Sequence, residues 1–302
     1  MRLAVRADVE LVGVADPDPA ALKRVRARLG GADCAPNPLR MIEEKAAEAI
    51  IIATPAASHV EICSRALERG LCVLIEKPVA PSAAEAEALV ASARRSEGFV
   101  LPGHVLRFSR DHQRLVEVVR SGEIGKVVYV NSRRYRDETH ATRYPDVDPV
   151  LMTLIHDIDL AQWVTQSGFR SALAHRSGGP GFRSITAVHA VSATSAVCDL
   201  RTAWTFAAGP APPDRLEVVG DRGGAELVVG ESLQVWREGR RLDVPLVEGD
   251  DPLTNEQDHF LACVRDRSRK PALDLEDAVA GLKLADAAME SLRTGREVAV
   301  AG

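Results

Sequence analysis

Short, predominantly apolar runs punctuate the first third of the chain. They are Glu10 to Ala15 ending at Asp16, Ala49 to Ala53 ending at Thr54-Pro55, Cys72 to Ile75 ending at Glu76-Lys77-Pro78, and Phe99 to Leu101 before Gly103. Apolar runs of this length without polar alternation suit strands covered on both faces. Between them the periodicity turns helical. The spacing predicts helices over Ala20 to Leu29, stopped by Gly30-Gly31, and over Ser58 to Arg69, with Val60, Cys63 and Leu67 on one face and Gly70 as its stop. A third helix, Ala83 to Ala93, opens with a capping box in which Ser82 answers Glu85. Strands alternating with helices predict right-handed crossovers and a parallel sheet.

After Gly103 the pattern changes. One helix, about Asp111 to Ser121, precedes period-two segments at Val127 to Arg133, Ile185 to Val191, Ala196 to Phe206, Leu216 to Val219, Ala225 to Val229 and Leu233 to Arg237. In the third of these, Ala196, Cys198, Leu200, Thr202, Trp204 and Phe206 share one face, which predicts a half-buried, mostly antiparallel sheet. Helices return at about Asn255 to Arg267 and Leu275 to Arg293. The predicted fold class is α/β: a Rossmann-type parallel sheet over residues 1–104, then an α+β domain with an open sheet over residues 105–302.

Composition narrows the function. A net charge of -5 and the absence of a basic block interleaved with aromatics argue against a nucleic-acid partner. No apolar stretch approaches the roughly 18 residues of a membrane helix. The N-terminus lacks a cationic and apolar leader pattern, so a cytoplasmic location is expected. Cys34, Cys63, Cys72, Cys198 and Cys263 are scattered without metal-ligand spacing and read as small buried hydrophobes. His156, Asp157 and Asp159 lack further convergent ligands, so no metal is expected.

Two clusters carry candidate chemistry. Glu76-Lys77-Pro78 ends a buried strand at the carboxyl edge, where open α/β sheets bind ligands, and Pro78 restricts Lys77 to extended geometry. A surface charge pair is the other reading of that tripeptide alone. Ile155-His156-Asp157-Ile158-Asp159 opens a helix continued by Leu160, Trp163 and Val164. A histidine titrating near neutrality suits general-base removal of a hydroxyl proton. Asp16 ends a strand where dinucleotide folds place an acid against the ribose hydroxyls, which favours NAD over NADP; Asp16-Pro17-Asp18-Pro19 is also a plain turn and helix start. His104, Arg107, Arg133, Arg136 and Tyr144 suit a pocket for hydroxyls, a carboxylate or a phosphate.

The order of these motifs, with Ala53-Thr54-Pro55 and His59, Gly103-His104 with Arg107-Phe108, and the closing Thr294-Gly295-Arg296, resembles the Gfo/Idh/MocA (glucose-fructose oxidoreductase and inositol dehydrogenase) family from about Val9 onward. The resemblance implies an NAD(P)-dependent oxidoreductase that moves a hydride to or from a secondary alcohol of a sugar, sugar derivative or cyclitol. It implies Lys77 and His156 as catalytic residues, Asp16, Thr54, Pro55, His59, Glu76, Lys77 and Pro78 as cofactor residues, and His104, Arg107, Tyr144, His156 and Asp159 as substrate residues. It also implies a homo-oligomer formed through the C-terminal sheet.

The chain departs from the family pattern twice. Family members open with a strand, a Gly-rich turn and a helix, whereas this sequence reaches its second expected strand by Glu10 and has no G-x-G-x-x-G. A start placed too far downstream is the expected cause. Where the family carries an aspartate four residues before the histidine, this chain has Met152. These departures keep two alternatives open: a non-catalytic relative that binds a sugar or a partner, and an NAD-dependent glycosidase.

Overall fold

The computed structural model describes residues 3–29, 32–143, 147–178 and 184–301; the helix stop expected at Gly30-Gly31 lies outside them. Two compact units emerge, Met1–Gly103 with Glu256–Leu275, and His104–Asn255 with Glu276–Gly302.

The first unit runs β1 (Gly13–Ala15), α1 (Pro19–Arg28), β2 (Asp33–Ala35), α2 (Pro38–Glu44), β3 (Ala49–Ile52), α3 (His59–Glu68), β4 (Cys72–Glu76), α4 (Ala83–Ala93) and β5 (Val100–Gly103). Helix starts follow capping chemistry. Asp18 accepts from the Ala20 and Ala21 N–H groups, Asn37 caps α2 ahead of Pro38, and Ser82 accepts from Glu85 N–H while donating to its carboxylate. Gly70, at φ +71°, takes the left-handed conformation that ends α3. The β2 and α2 pair was not anticipated, because a three-residue strand leaves almost no periodicity; Asn37-Pro38 was its one legible signal.

Within this unit β1 pairs with β2, and β3, β4 and β5 pair in sequence order, every pair parallel. Among the described residues the two pieces are not joined. Ile51 on β3 is 37% exposed, whereas Cys72 to Ile75 on β4 are sealed in the core.

The second unit contains α5 (Arg110–Arg120), β6 (Val127–Asp137), α6 (Glu138–Arg143), a π turn at Val150–Leu154 and α7 (Ile155–Thr165). Strands β7 (Phe169–Ser177), β8 (Ile185–Ser192), β9 (Val197–Phe206), β10 (Arg215–Gly220), β11 (Gly223–Val228), β12 (Ser232–Arg237) and β13 (Arg240–Val244) follow. The chain closes with α8 (Pro252–Arg265), α9 (Leu275–Thr294) and β14 (Val298–Ala299). Nine strands form one sheet in the order β13-β12-β11-β10-β6-β9-β8-β7-β14, antiparallel except for the central β6–β9 pair. The period-two pattern sorts its faces: Val130, Ser132 and Arg134 of β6 and Cys198, Leu200, Thr202 and Trp204 of β9 are buried. Trp204 satisfies its indole N–H on Thr153 Oγ1 at 3.0 Å. Among the described residues no helix is long and apolar enough to cross a membrane.

Residues 256–275, expected within the second domain, pack with the first. Phe260 meets Phe99 edge-on at 5.7 Å between ring centroids, Arg267 lies over the Phe99 ring and donates to Cys72 sulfur, and Arg265 reaches Asp8 at 2.7 Å. A buried aromatic on α8 decides this membership, since truncating such a side chain costs about 3–5 kcal/mol. Phe260→Ala is therefore expected to speed amide hydrogen exchange in β4 and β5 while leaving β8 and β9 unchanged, read by exchange mass spectrometry.

Candidate functional site

The first unit gathers its candidate residues at the carboxyl ends of its strands. Register pairs Glu76 with Gly103, and a side chain at Gly103 would meet the Ile75 carbonyl oxygen at 3.0 Å and Glu76 Cα at 3.1 Å, so any larger residue there would have to push β4 back by a few tenths of an ångström. Glu76 Oε2 accepts the Lys77 backbone N–H at 3.2 Å, and the Lys77-Pro78 peptide is cis. His59 is buried, its Nδ1 3.0 Å from the Pro78 carbonyl oxygen and its Nε2 2.7 Å from that of Thr54. The ring is thus a strut between the turns after β3 and β4. Ser58 Oγ donates to Thr54 Oγ1 at 2.8 Å, and Pro55 leads into a 3-10 turn. Asp16, half-buried at the end of β1, accepts the Asp18 N–H at 2.8 Å through Oδ1.

Glu256, on the apolar face that α8 shares with Phe260 and Cys263, escaped the sequence reading. It is 1% exposed, and burial followed by the neighbouring Glu76 charge pushes its carboxyl up to about 8. A carboxyl recurring at four- and seven-residue spacing with core residues was the available signal.

In the second unit the two carboxylates that follow His156 are each gripped by a buried arginine. Arg134 of β6 holds Asp157 through Nε and Nη2 at 3.0 and 3.2 Å, and Arg107 holds Asp159 through Nε and Nη2 at 2.9 and 2.8 Å. Such paired N–H contacts fix position as well as charge. Arg107 and Asp159, expected to meet substrate, are 6% and 3% exposed and spend their charges on each other; His104 Nδ1 stands 3.8 Å from the same carboxylate. Arg107 and Arg120 both lie over the Trp163 ring, at 5.1 and 5.9 Å from its centroid.

Arg134 also meets Asp214, which Arg136 grips through two N–H groups at 2.8 and 3.0 Å. Arg136, a pocket candidate from sequence, is thereby committed to a protein carboxylate. Arg133 alternates onto the other face of β6 from Arg134 and lies over the Tyr135 ring. Burial alone would raise Asp214, but Arg134 and Arg136 hold it below the ordinary carboxylate range. Beside this network, burial and then Arg134 push His112 down to about 3. Tyr144 lies outside the described residues. Met152 sits half-buried in the π turn that precedes α7, a wider turn than the α turn the spacing suggested, and its N–H donates to the Asp148 carbonyl oxygen at 2.9 Å.

These features define a two-domain protein with a Rossmann-type parallel sheet and a large, mostly antiparallel second sheet. Residues 2–104 match the family model described as "Oxidoreductase family, NAD-binding Rossmann fold", and residues 112–226 match the "GFO/IDH/MocA C-terminal domain". The chain belongs to the Gfo/Idh/MocA family. Similar curated proteins include inositol 2-dehydrogenase 4 of Saccharopolyspora erythraea, 28% identical over 51% of this chain and 46% of that protein. Inositol 2-dehydrogenase of Acidothermus cellulolyticus is 27% identical over 72% of this chain and 65% of that protein. The chain spans about half the length of the curated relatives it matches. Among solved structures, apo scyllo-inositol dehydrogenase from Lactobacillus casei shares the fold with a TM-score of 0.85 at 18% identity, covering 100% of this chain and 94% of that one. An oxidoreductase from Agrobacterium radiobacter, solved with NAD+, L-tartaric acid and magnesium, also gives 0.85 at 18% identity, covering 96% and 90%.

The charge network generates two expectations. Arg134→Met strands the Asp157 carboxylate in the core and is expected to cost roughly 3–5 kcal/mol by denaturant titration, while Arg134→Met with Asp157→Leu recovers most of it, since Asp214 keeps Arg136. His112 is held below its ordinary 6.5, so the folded chain binds fewer protons than the unfolded one between pH 6.5 and about 3. Its contribution is present above that window and lost as pH falls through it. His112→Gln is expected to flatten the acid limb of the stability profile.

Proposed function

We propose that this chain is an NAD-linked oxidoreductase that moves a hydride between the cofactor and a secondary alcohol of a polyol, a cyclitol being the favoured class. The observation that carries the reading is the coincidence of family membership in both domains with Lys77 at the end of β4 and His156 at the start of α7. The inositol dehydrogenases among the similar proteins support the cyclitol class.

The strand-end residues fit the cofactor in part. The Asp16 carboxylate at the end of β1 suits ribose hydroxyls and opposes a 2′-phosphate, which favours NAD over NADP. Thr54, Pro55 and the Glu76-Lys77-Pro78 turn, locked together by His59, would flank the nicotinamide half. Among the described residues no glycine-rich turn feeds a helix N-terminus to cradle the pyrophosphate. Bound NAD supplies the hydride acceptor.

The Lys77 ammonium holds the substrate hydroxyl oxygen and stabilises the negative charge that develops there. His156 takes the hydroxyl proton on its imidazole. Arg134–Asp157 and Arg107–Asp159 keep α7 fixed while that proton moves, as positioning pairs. His104 would add a polar group toward substrate beside Asp159. The second-domain sheet would carry a homo-oligomer interface, in the cytoplasm.

The test is NADH formation over a panel of inositols and aldoses. Net NADH is expected, and Lys77→Ala and His156→Ala are each expected to lower turnover by about 10² to 10⁴ with circular dichroism unchanged. Because the two act on one oxygen, the double variant should be little worse than either single one. A fully active His156→Ala enzyme would overturn the assignment, and ligand binding without NADH would favour a non-catalytic binder.

A further inference from the structure

The face of the nine-stranded sheet that turns away from Val130, Ser132 and Arg134 carries its own order. Strand register sorts its side chains into four rows running across the strands. The outer two are Val219, Tyr129 and Val197 on one side and Tyr135, Ala203 and Ile185 on the other. Between them lie an acidic row, Glu217, Asn131 and Asp199, and a basic row, Arg215, Arg133 and Arg201. All of these but Ala203 are half-buried or exposed. Three arginines side by side on neighbouring strands repel one another, and their own chain answers them in part. Arg215 meets Glu226 at 2.7 Å and Arg201 donates to Asn131 Oδ1 at 3.0 Å, but Arg133 lies over the Tyr135 ring with its Nε lacking a hydrogen-bond partner among the described residues. Glu217 receives one long bond, from Asn131 at 3.3 Å, and Asp199 is held by the Tyr129 hydroxyl at 2.8 Å and His189 Nδ1 at 2.7 Å.

We propose that this face docks against the same face of a second copy of the chain, about a two-fold axis that lies between the acidic and basic rows and parallel to them. Rotation about that axis keeps each strand opposite itself and exchanges the rows, as an isologous contact requires. Glu217 then faces Arg215 of the second copy, Asp199 faces its Arg201, and Arg133 faces its Asn131, whose amide oxygen keeps a lone pair beyond the one given to Arg201. The outer rows meet as apolar surfaces, Tyr129 against Tyr135 and Val197 against Ala203. A two-fold along the strands would instead set acid on acid and arginine on arginine, which like-charge repulsion opposes. The strands of the two sheets stay aligned, as face-to-face sheets prefer. From β11 to β8, five strands about 4.8 Å apart and four rows about 6.8 Å apart give a flat patch of roughly 650 Å² per copy, near the roughly 800 Å² that a standard specific interface buries on each side. The pairing deepens the interface proposed for this sheet above, on which it rests, and is independent of the hydride chemistry.

The test is sedimentation velocity on the full chain and on two opposite charge reversals, Arg201→Glu and Asp199→Lys, with folding checked by circular dichroism. The wild type is expected to sediment as a dimer or a larger even-numbered assembly. Each variant alone sets like charges face to face twice about the axis, so its dissociation constant is expected to rise by about tenfold or more. Mixed one to one, the two variants restore opposite charges at both places, and the mixture is expected to associate as the wild type does. Should either variant fail to fold, Arg215→Glu mixed with Glu217→Lys carries the same test on β10. Variants that associate as tightly as the wild type, or a mixture that stays dissociated, overturn the row pairing and leave an interface elsewhere on the sheet possible. A wild type that is monomeric overturns the pairing and the oligomer together, and leaves this face to some other partner.

Discussion

The second unit depends on the bidentate pair between Arg134 and Asp157, both sealed in the protein. Two bare charges there would carry several kcal/mol of desolvation each, so each is tolerable only because the other is in place. Because the pair spans β6 and α7, it sets the rotation of the helix about its axis. Arg107 and Asp159 repeat the arrangement two residues further along, and Arg136 balances Asp214, so charges are matched locally. His156 immediately precedes two carboxylates that cannot wander. In the proposed role of general base, His156 has to meet its proton within hydrogen-bond reach, and a fixed helix serves that precision.

The first unit holds its strand ends by other contacts. His59 joins the backbones of two strand-end turns, Gly103 admits β5 against Glu76, and α8 covers the sheet with Phe260. The turn carrying Lys77 is thereby tied through Pro78 to the turn after β3. A strand end is a natural place for reactive groups, since backbone pairing stops there while the core still fixes the direction of the chain.

Much of this was legible in the sequence. Apolar runs gave β3 and β4 to within a residue, the Ser82 to Glu85 box marked the start of α4, and alternation from Ala196 onward identified the buried face of β9. What stayed hidden were relations between distant residues. Arg107 and Asp159 look like pocket residues until the fold brings them together, and nothing near Arg134 announces that it, rather than Arg133 or Arg136, meets Asp157. His59 presented itself as a cofactor residue because sequence shows a ring and not the carbonyl oxygens on either side of it. Segment 256–275 was assigned to the wrong unit because amphipathicity says that a helix has a partner without saying which one. Glu256 was overlooked because a glutamate near a helix start usually faces water.

The central proposal is a transfer of hydride from a polyol carbon to NAD. It is tested most directly with inositol deuterated at its ring carbons, incubated with the protein and unlabelled NAD, the reduced cofactor being weighed by mass spectrometry. The account predicts NADH carrying one deuterium, formed more slowly than the reduced cofactor from unlabelled inositol. Reduced cofactor without the label, or a bound polyol that yields no reduced cofactor across the inositol and aldose series, would contradict it.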